Sequence, residues 1–244
     1  MKNTIILFLI LFTLICCSVR EIEQVIDDSR KYLKVGDIDM YYGITIPDSY
    51  RKGEPVPLVL ALHYGGTFSD YYGKSFARQL VEPGLEQLGA IIISPTCPSV
   101  NWTTETSEKA IIGLLDHIRL EYLIDSRKIL VTGFSLGGEG TWHFAAKFPE
   151  IFSIAIPIAG PVWRFTPEFL NNIQAPVYVI HSRDDETIQF SEVEKMVNLL
   201  IYSGMYIEFR ILEDIHHFEV NNYTEFLQES VPWIFSIWDS EQIN

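Results

Sequence analysis

The stretch KILVTGFSLGGEG, from Lys128 to Gly140, is the most informative part of this chain about its fold. Its first half is apolar and rich in β-branched residues, as in a buried strand, and its second half opens a helical pattern. Ser135 stands between the two halves, with Gly133 and Gly137 on either side. Glycine at both positions allows a tight turn whose backbone approaches neighbouring elements closely. The stretch therefore predicts a strand, a sharp turn that carries the serine, and a helix.

Alternating strands and helices extend in both directions from this turn. The predicted strands are Met40–Ile46, Val56–Leu62, Ala90–Ser94, Lys128–Thr132, Ser153–Ala159, Val177–Ile180 and Tyr206–Leu212. The predicted helices are Lys74–Gln87, Glu105–Tyr122, Gly138–Phe148, Ser191–Tyr202 and Thr224–Trp238, the last bent at Pro232. This alternation predicts an α/β fold with a mostly parallel central sheet and helices on both faces. In such sheets, functional side chains collect at the carboxyl ends of the strands.

Composition and charge limit the classes of partner. The chain has 244 residues, of which 48% are hydrophobic and 20% charged, as is typical of a globular protein. No repeat or low-complexity stretch divides it, so we expect a single folded domain. With 18 basic residues against 32 acidic ones the net charge is −14, and such a surface repels phosphate backbones and anionic lipids. We therefore expect no nucleic-acid partner.

The first residues have the features of an export signal. Lys2 supplies a positive charge, and an uncharged, apolar run follows from Ile5 to Cys17. Because this run is shorter than the roughly 20 apolar residues of a membrane-spanning helix, residues 1–17 are predicted to be a signal peptide rather than a membrane anchor. The protein is then exported, either secreted, periplasmic or held at the cell surface.

The residues around the predicted cleavage point allow one further modification. Leu14–Cys17 resembles a bacterial lipobox but has Cys16 where a small Gly, Ala or Ser is usual. We therefore expect cleavage without lipidation, and a lipid anchor on Cys17 is the alternative and the one membrane link considered. Residues 18–39 are predicted to form a polar lead-in, and residues 40–244 a single catalytic domain. Once the leader is removed, Cys97 is the remaining cysteine, and no intrachain disulfide is possible.

A serine hydroxyl needs a base and an orienting acid to act as a nucleophile. Acids and histidines follow two later strands of the chain. The first of these strands is followed by the acidic run 184–186, and the second by His216 and His217. The order serine, acid, histidine is that of one large class of serine hydrolases. The pattern predicts Ser135 as the nucleophile, with an acid from the run 184–186 and a base at one of the two histidines.

Four further stretches accompany the serine turn. They are LHYGG at Leu62–Gly66, YLIDSR at Tyr122–Arg127, FPEIF at Phe148–Phe152 and PIAG at Pro157–Gly160. Together they make the chain resemble the α/β-hydrolase superfamily, and within it the extracellular serine esterases and poly(3-hydroxybutyrate)-depolymerase-like proteins. The resemblance covers roughly Val56 to Trp238 and implies the α/β-hydrolase fold.

The resemblance selects one acid and one base. The acid of these proteins usually follows the pattern His-Gly-x-x-Asp, which corresponds to residues 181–185 and implies Asp185, with Ser182 in place of the glycine. Their histidine commonly precedes an aromatic residue and a closing helix that ends in Trp-Ile. His217 precedes Phe218 in this way, and Trp-Ile follows at residues 233–234. The implied catalytic residues are Ser135, Asp185 and His217.

An oxyanion forms during acyl transfer and must meet backbone N–H donors. The serine turn supplies the N–H of Leu136, and the resemblance points to Gly65 for the second donor. Tyr64 takes the place of a glycine that is common after the histidine of this loop, and we expect it to shape the substrate pocket. Trp102 and Trp163 lie in segments near strand carboxyl ends and are further candidates for this pocket.

Two other histidines, His63 and His181, each end a predicted strand. One alternative is that they join His217 as metal ligands. A serine nucleophile has no need of a metal, however, and both positions match histidines that brace loops in the resembling proteins. We therefore expect neither a metal nor any other cofactor.

The function predicted from the sequence is that of an exported serine hydrolase. It would cleave carboxylic esters, small or attached to a polymer, through an acyl-enzyme intermediate. A serine peptidase or a thioesterase on the same fold is the first alternative. The second is a binding protein derived from a hydrolase and without activity, because a fold does not by itself guarantee chemistry.

Overall fold

The computed structural model describes residues 29–240. Its centre is a sheet of eight strands in the order β1-β2-β4-β3-β5-β6-β7-β8. The strands are β1 (Arg30–Val35), β2 (Ile38–Thr45), β3 (Val56–Leu62), β4 (Ile91–Pro95), β5 (Ile124–Phe134), β6 (Ile154–Ile158), β7 (Val177–Ser182) and β8 (Ile207–Leu212). β2 pairs antiparallel with both β1 and β4, and the remaining neighbours are parallel. The predicted α/β fold with a mostly parallel sheet is confirmed.

Helices lie on both faces of this sheet. They are α1 (Tyr72–Phe76), α2 (Glu82–Leu85), α3 (Glu105–Glu121), α4 (Leu136–Lys147), α5 (Pro167–Leu170), α6 (Phe190–Tyr202), α7 (Thr224–Glu229) and α8 (Val231–Ser240). Alternate residues of β3 point to opposite faces, as the pleat requires. Leu60 packs in the core with α3, α4 and α6, whereas Val59 packs in the core with α1, α2, α7 and α8.

The amino-terminal part of the sheet differs from the prediction. A polar lead-in was expected up to residue 39, but Arg30–Val35 forms β1 and the adjoining Ile38–Thr45 forms β2. β1 is an edge strand in which exposed residues alternate with half-buried ones, and its charged side chains hide the strand pattern. The predicted leader, residues 1–17, and Cys17 lie outside the described residues. Within residues 29–240, no helix is long and apolar enough to span a membrane.

Two predicted helices are interrupted. The segment expected as one helix over Lys74–Gln87 consists of α1, a π turn at Ala77–Val81, α2 and a short 3-10 turn at Glu86–Leu88. The closing helix is divided at Ser230 into α7 and α8. Pro232 then lies in the first turn of α8, where a missing N–H leaves no helical hydrogen bond unmade.

The carboxyl ends of the parallel strands position the site. β3, β5, β6, β7 and β8 run in the same direction, so the segments that follow them meet along one edge of the sheet. Ser135 follows β5, the acidic run 184–186 follows β7, and His217 follows β8.

Candidate active site

Ser135 occupies a strained turn between β5 and α4. Its φ of 55° and ψ of −114° lie in a region that side-chain-bearing residues seldom adopt. The Ser135 N–H donates to the carbonyl of Ile158 at 2.9 Å, and the Ser135 carbonyl accepts from the N–H of Glu139 at 2.9 Å. The neighbouring strand and the first turn of the helix therefore hold the serine in this conformation.

Steric crowding explains why glycines flank the serine turn, at Gly133 and Gly137. A Cβ on Gly137 would overlap the carbonyl oxygen of Leu62, at the end of β3. A Cβ on Gly133 would overlap the carbonyl oxygen of Gly137 itself. Because these obstacles are backbone atoms, no change of side-chain rotamer can remove them. The strand and the helix approach this closely only with glycine at both positions.

The imidazole of His217 lies between Ser135 and Asp185. Its Nε2 is 2.8 Å from Ser135 Oγ, and its Nδ1 is 2.7 Å from Asp185 Oδ2. An ionised carboxylate can only accept hydrogen bonds, so Nδ1–H donates to Asp185 and leaves Nε2 as the acceptor for the serine hydroxyl. Asp185 and His217 are buried. The structure thus brings together the three residues that the sequence analysis predicted to be catalytic.

Asp185 is held as an anion by the backbone of its own loop. Its Oδ1 accepts from the N–H groups of Thr187 at 2.9 Å and Ile188 at 2.7 Å. Burial on its own raises the pKa of this carboxyl group, but the hydrogen bonds from His217 and Ile188 outweigh burial, so the pKa lies below its ordinary value. A carboxylate that stays ionised keeps the proton of His217 on Nδ1.

The neighbouring acids contact the backbone of the histidine loop rather than the imidazole. Asp184 Oδ2 accepts from the N–H of Asp214 at 2.7 Å, and Glu186 Oε2 accepts from the N–H of His217 at 3.0 Å. The side chain of His216 is 64% exposed and lies beside Glu186, with 3.4 Å between Nδ1 and Oε2. The hydrogen bond from His217 is the main reason that the pKa of Glu186 is lowered. Of the predicted alternatives, then, His217 is the histidine that contacts Ser135, and Asp185 is the acid that contacts the imidazole of His217.

A cavity of about 400 Å³ opens beside the serine. Its lining residues are Tyr64, Gly65, Gln79, Phe134, Ser135, Thr187, His217, Phe218 and Val220. Tyr64 and Gly65 were predicted at this place. Gln79 and Thr187 were not, because only the course of the chain between strands brings them here.

The two predicted oxyanion donors are neighbours. A Cβ on Gly65 would stand 3.9 Å from the side chain of Leu136, in ordinary van der Waals contact. Leu136 is the first residue of α4, where N–H groups have no acceptor within the helix. That end of the helix also carries the positive pole of its dipole, which favours a developing negative charge.

The structure corrects one of the two tryptophan predictions. Trp102 is completely buried, and its Nε1–H donates to the carbonyl of His63 at 2.9 Å. It therefore belongs to the core beneath the loop and does not line the cavity, because its large ring is buried for packing. Trp163 is 56% exposed on the loop after β6 and lies outside the lining of this cavity, so its contact with a substrate stays a prediction.

His63 and His181 brace loops next to the site. His63 Nδ1 donates to the carbonyl of Tyr64 at 2.7 Å, and Nε2 accepts from the N–H of Cys97 at 2.9 Å. Burial lowers the pKa of His63 to about 4, so the ring is neutral and both nitrogens are engaged. His181 Nε2 donates to the carbonyl of Ile188 at 2.9 Å, which closes the loop around Asp185. Among residues 29–240, no group of three or more His, Cys, Asp or Glu side chains could hold a metal ion.

Part of the chain is similar in sequence to several named proteins. A putative carboxymethylenebutenolidase of Aquifex aeolicus is 28% identical over 99 residues, which are 41% of this chain and 42% of that protein. Acetylxylan esterase A of Aspergillus awamori is 31% identical over 152 residues, which are 57% of this chain and 46% of that enzyme. The chain thus spans less than half of the length of these relatives.

Solved structures show the same fold. A thermostable esterase superposes with a TM-score of 0.70 at 24% identity, over 87% of this chain and 64% of the esterase. The narrower resemblance to poly(3-hydroxybutyrate) depolymerases stays a prediction. The model of the dienelactone hydrolase family matches residues 98–230, which are more than half of the chain and include Ser135, Asp185 and His217. The chain therefore belongs to the dienelactone hydrolase family, within the α/β-hydrolase superfamily.

Proposed function

We propose that this protein is a serine esterase in which Ser135, His217 and Asp185 form the catalytic triad. The observation that carries the proposal is the continuous hydrogen-bonded chain from Ser135 Oγ through His217 to Asp185, with distances of 2.8 and 2.7 Å. The strained turn at Ser135 supports it further, because strain of this kind is found where side chains must be presented for chemistry.

The reaction consists of two successive acyl transfers, first to Ser135 and then to water. Ser135 Oγ attacks the ester carbonyl carbon while His217 Nε2 takes the hydroxyl proton, and a tetrahedral oxyanion forms. The N–H groups of Leu136 and Gly65 stabilise that oxyanion. The bond from carbon to the alcohol oxygen then breaks, and His217 returns the proton to the leaving alcohol. A water molecule then attacks the acyl carbon while His217 takes its proton, the bond from carbon to Ser135 Oγ breaks, and His217 returns the proton to Ser135 as the acid leaves. Asp185 holds the imidazole in position throughout.

The substrate is a carboxylic ester. Several relatives are esterases by name, and the cavity beside Ser135 has room for a small group on one side of an ester bond. Amide and thioester bonds use the same nucleophile, so one series of compounds with a common acyl group separates the three classes of activity. The proposal expects the ester to be cleaved fastest.

The proposed esterase acts outside the cytoplasm. Lys2 and the short apolar run at Ile5–Cys17 support cleavage of an export signal. The described sheet begins at Arg30, beyond the predicted leader, and none of the described residues 29–63 lines the cavity beside Ser135.

A fluorophosphonate probe tests the triad, because it reacts only with an activated serine. The wild-type protein should be labelled at Ser135 and should hydrolyse 4-nitrophenyl acetate, whereas Ser135→Ala should do neither. Ser236→Ala, on the exposed face of α8, is the matched control and should behave as wild type. A folded wild-type protein that takes no label at Ser135 would refute the proposed function and favour a binding protein.

A further inference from the structure

Gln79 lines the cavity beside Ser135, yet the proposed chemistry gives it no task. It lies in the π turn Ala77–Val81, between α1 and α2. A π turn places one additional residue in a helical turn, and such turns occur frequently at functional sites. The turn therefore presents a carboxamide to the same cavity as the nucleophile.

The π turn is anchored on both sides. Lys74, a buried residue of α1, forms an ion pair with the half-buried Glu82, the first residue of α2, with 2.8 Å between Nζ and Oε1. Thr45 of β2 joins the pair, since its hydroxyl lies 2.6 Å from Lys74 Nζ and donates to Glu82 at 2.8 Å. These contacts tie the segments before and after Gln79 to the end of a sheet strand. The position of Gln79 is thus fixed by the fold and does not depend on a loose loop.

The side chain of Gln79 is oriented by Tyr64. The Tyr64 hydroxyl donates to Gln79 Oε1 at 2.9 Å. The Tyr64 ring is itself held by edge-on contacts with Phe76 and Phe134, at centroid distances of 5.7 and 6.2 Å. With Oε1 engaged, the two N–H donors of Nε2 remain, and no residue among 29–240 accepts from them. A donor group in a substrate cavity without a partner in the protein is suited to bind a ligand oxygen.

We propose that Gln79 Nε2 donates a hydrogen bond to an oxygen atom on the acyl chain of the substrate. The acyl side is favoured because Gln79 is held by Tyr64, the neighbour of Gly65, whose N–H is assigned to the acyl carbonyl. The preferred substrates are then esters whose short acyl chain carries an ether, hydroxyl or keto oxygen, rather than plain alkanoates. This inference rests on the proposed function and names the substrate class of the same site.

Two esters of equal length test the inference. The acyl chains of 4-nitrophenyl methoxyacetate and 4-nitrophenyl butyrate differ in one position, where an ether oxygen replaces a methylene. The measured quantity is the kcat/KM for the methoxyacetate divided by the kcat/KM for the butyrate, in the wild type and in each variant. Comparing variants with the wild type cancels the different intrinsic reactivity of the two compounds.

Gln79→Leu should lower this ratio about tenfold, because it removes the donor from a site built to bind an oxygen. Gln79→Glu keeps an acceptor for Tyr64 but loses the donor, and it should lower the ratio by at least as much. Gln87→Leu, an exposed glutamine on the neighbouring 3-10 turn, is the matched control and should leave the ratio unchanged.

The outcomes separate this inference from the proposed function. A ratio that changes less than threefold in both Gln79 variants, in proteins that still hydrolyse butyrate, overturns the role of Gln79 and leaves the esterase intact. A wild-type protein that hydrolyses neither ester and takes no fluorophosphonate label overturns both. Equal losses of activity on the two esters would show that Gln79 supports only the structure of the site, and would also overturn the inference.

Discussion

The side chain of Glu186 accepts a hydrogen bond from the backbone N–H of His217, at 3.0 Å. The acid loop after β7 therefore holds the histidine loop twice, through this contact and through the bond of Asp185 to the imidazole. Asp184 adds a third contact, to the N–H of Asp214, which has a positive φ of 59°. Three consecutive acids thus fix one histidine relative to the serine, and only the middle one touches the ring.

We expect Glu186→Ala to lower kcat about tenfold and to change KM little, because it loosens the backbone of His217 without removing a reacting group. Glu186→Gln keeps an oxygen acceptor and should recover most of the activity. Kinetics with 4-nitrophenyl acetate measure both variants. A Glu186→Gln protein as impaired as Glu186→Ala would show that the charge, and not the hydrogen bond, is what His217 requires.

The second prediction compares adjacent residues of the two loops. His217→Ala and Asp185→Ala should each reduce kcat by about 10⁴-fold or close to it, since triad members act as a unit. His216→Ala and Asp184→Ala should stay within about tenfold of wild type, because neither side chain contacts Ser135 or the imidazole of His217. The reverse ranking would mean that the loops are displaced by one residue from the geometry described.

How far the sequence predicts this site depends on the kind of contact. Ser135 and its glycines could be predicted because the turn is a local steric problem. The acidic run 184–186 and the histidine pair could be predicted because each follows a strand, but it was the resemblance to a known family that selected Asp185 and His217 from them. Gln79 could not, since a π turn within an apparently regular helix leaves no mark in the periodicity. Trp102 was misplaced for a related reason: a loop position near a strand end does not reveal that the loop folds its aromatic ring into the core.

The third prediction concerns the serine turn. Gly137→Ala places a methyl group against the carbonyl of Leu62 and should destabilise the protein by more than about 4 kcal/mol, or prevent folding. Gly53→Ala is the comparison, because that glycine has a φ of +91° but open space around its Cβ, and we expect a loss of about 1 kcal/mol. Urea unfolding measures both. Similar losses in the two variants would contradict the close packing of β3 against α4.

The fourth prediction is a pH dependence of stability caused by His63. Its ring lies 4.6 Å from that of Phe68 and 5.0 Å from that of Trp102, and burial lowers its pKa from 6.5 to about 4. Between these values the unfolded chain binds more protons at this residue than the folded protein does, so stability falls as the pH is lowered. From pH 7 to pH 4.5 the contribution of His63 amounts to about 2 kcal/mol.

His63→Gln isolates this contribution, because a carboxamide can both donate to Tyr64 and accept from Cys97 without titrating. The variant should be less stable at pH 7, yet it should lose about 2 kcal/mol less than the wild type between pH 7 and pH 4.5. Urea unfolding at the two pH values gives the comparison. An equal loss of stability between the two pH values in both proteins would show that the pKa of His63 is the same in the folded and unfolded states.

The last prediction is that the protein works without its first seventeen residues. Because the sheet, as far as residues 29–240 show it, begins at Arg30, and the described lining of the site begins at Tyr64, a chain that starts at Ser18 should fold and hydrolyse esters as the full-length protein does. Expressed with its leader, the protein should be recovered outside the cytoplasm with a new amino terminus. Mass spectrometry of the native protein distinguishes the outcomes: a terminus at Ser18 indicates secretion, and a lipid mass on Cys17 indicates a tethered enzyme. An intact Met1 in a cytoplasmic fraction would contradict export, while leaving the triad and the role of Gln79 to their own tests.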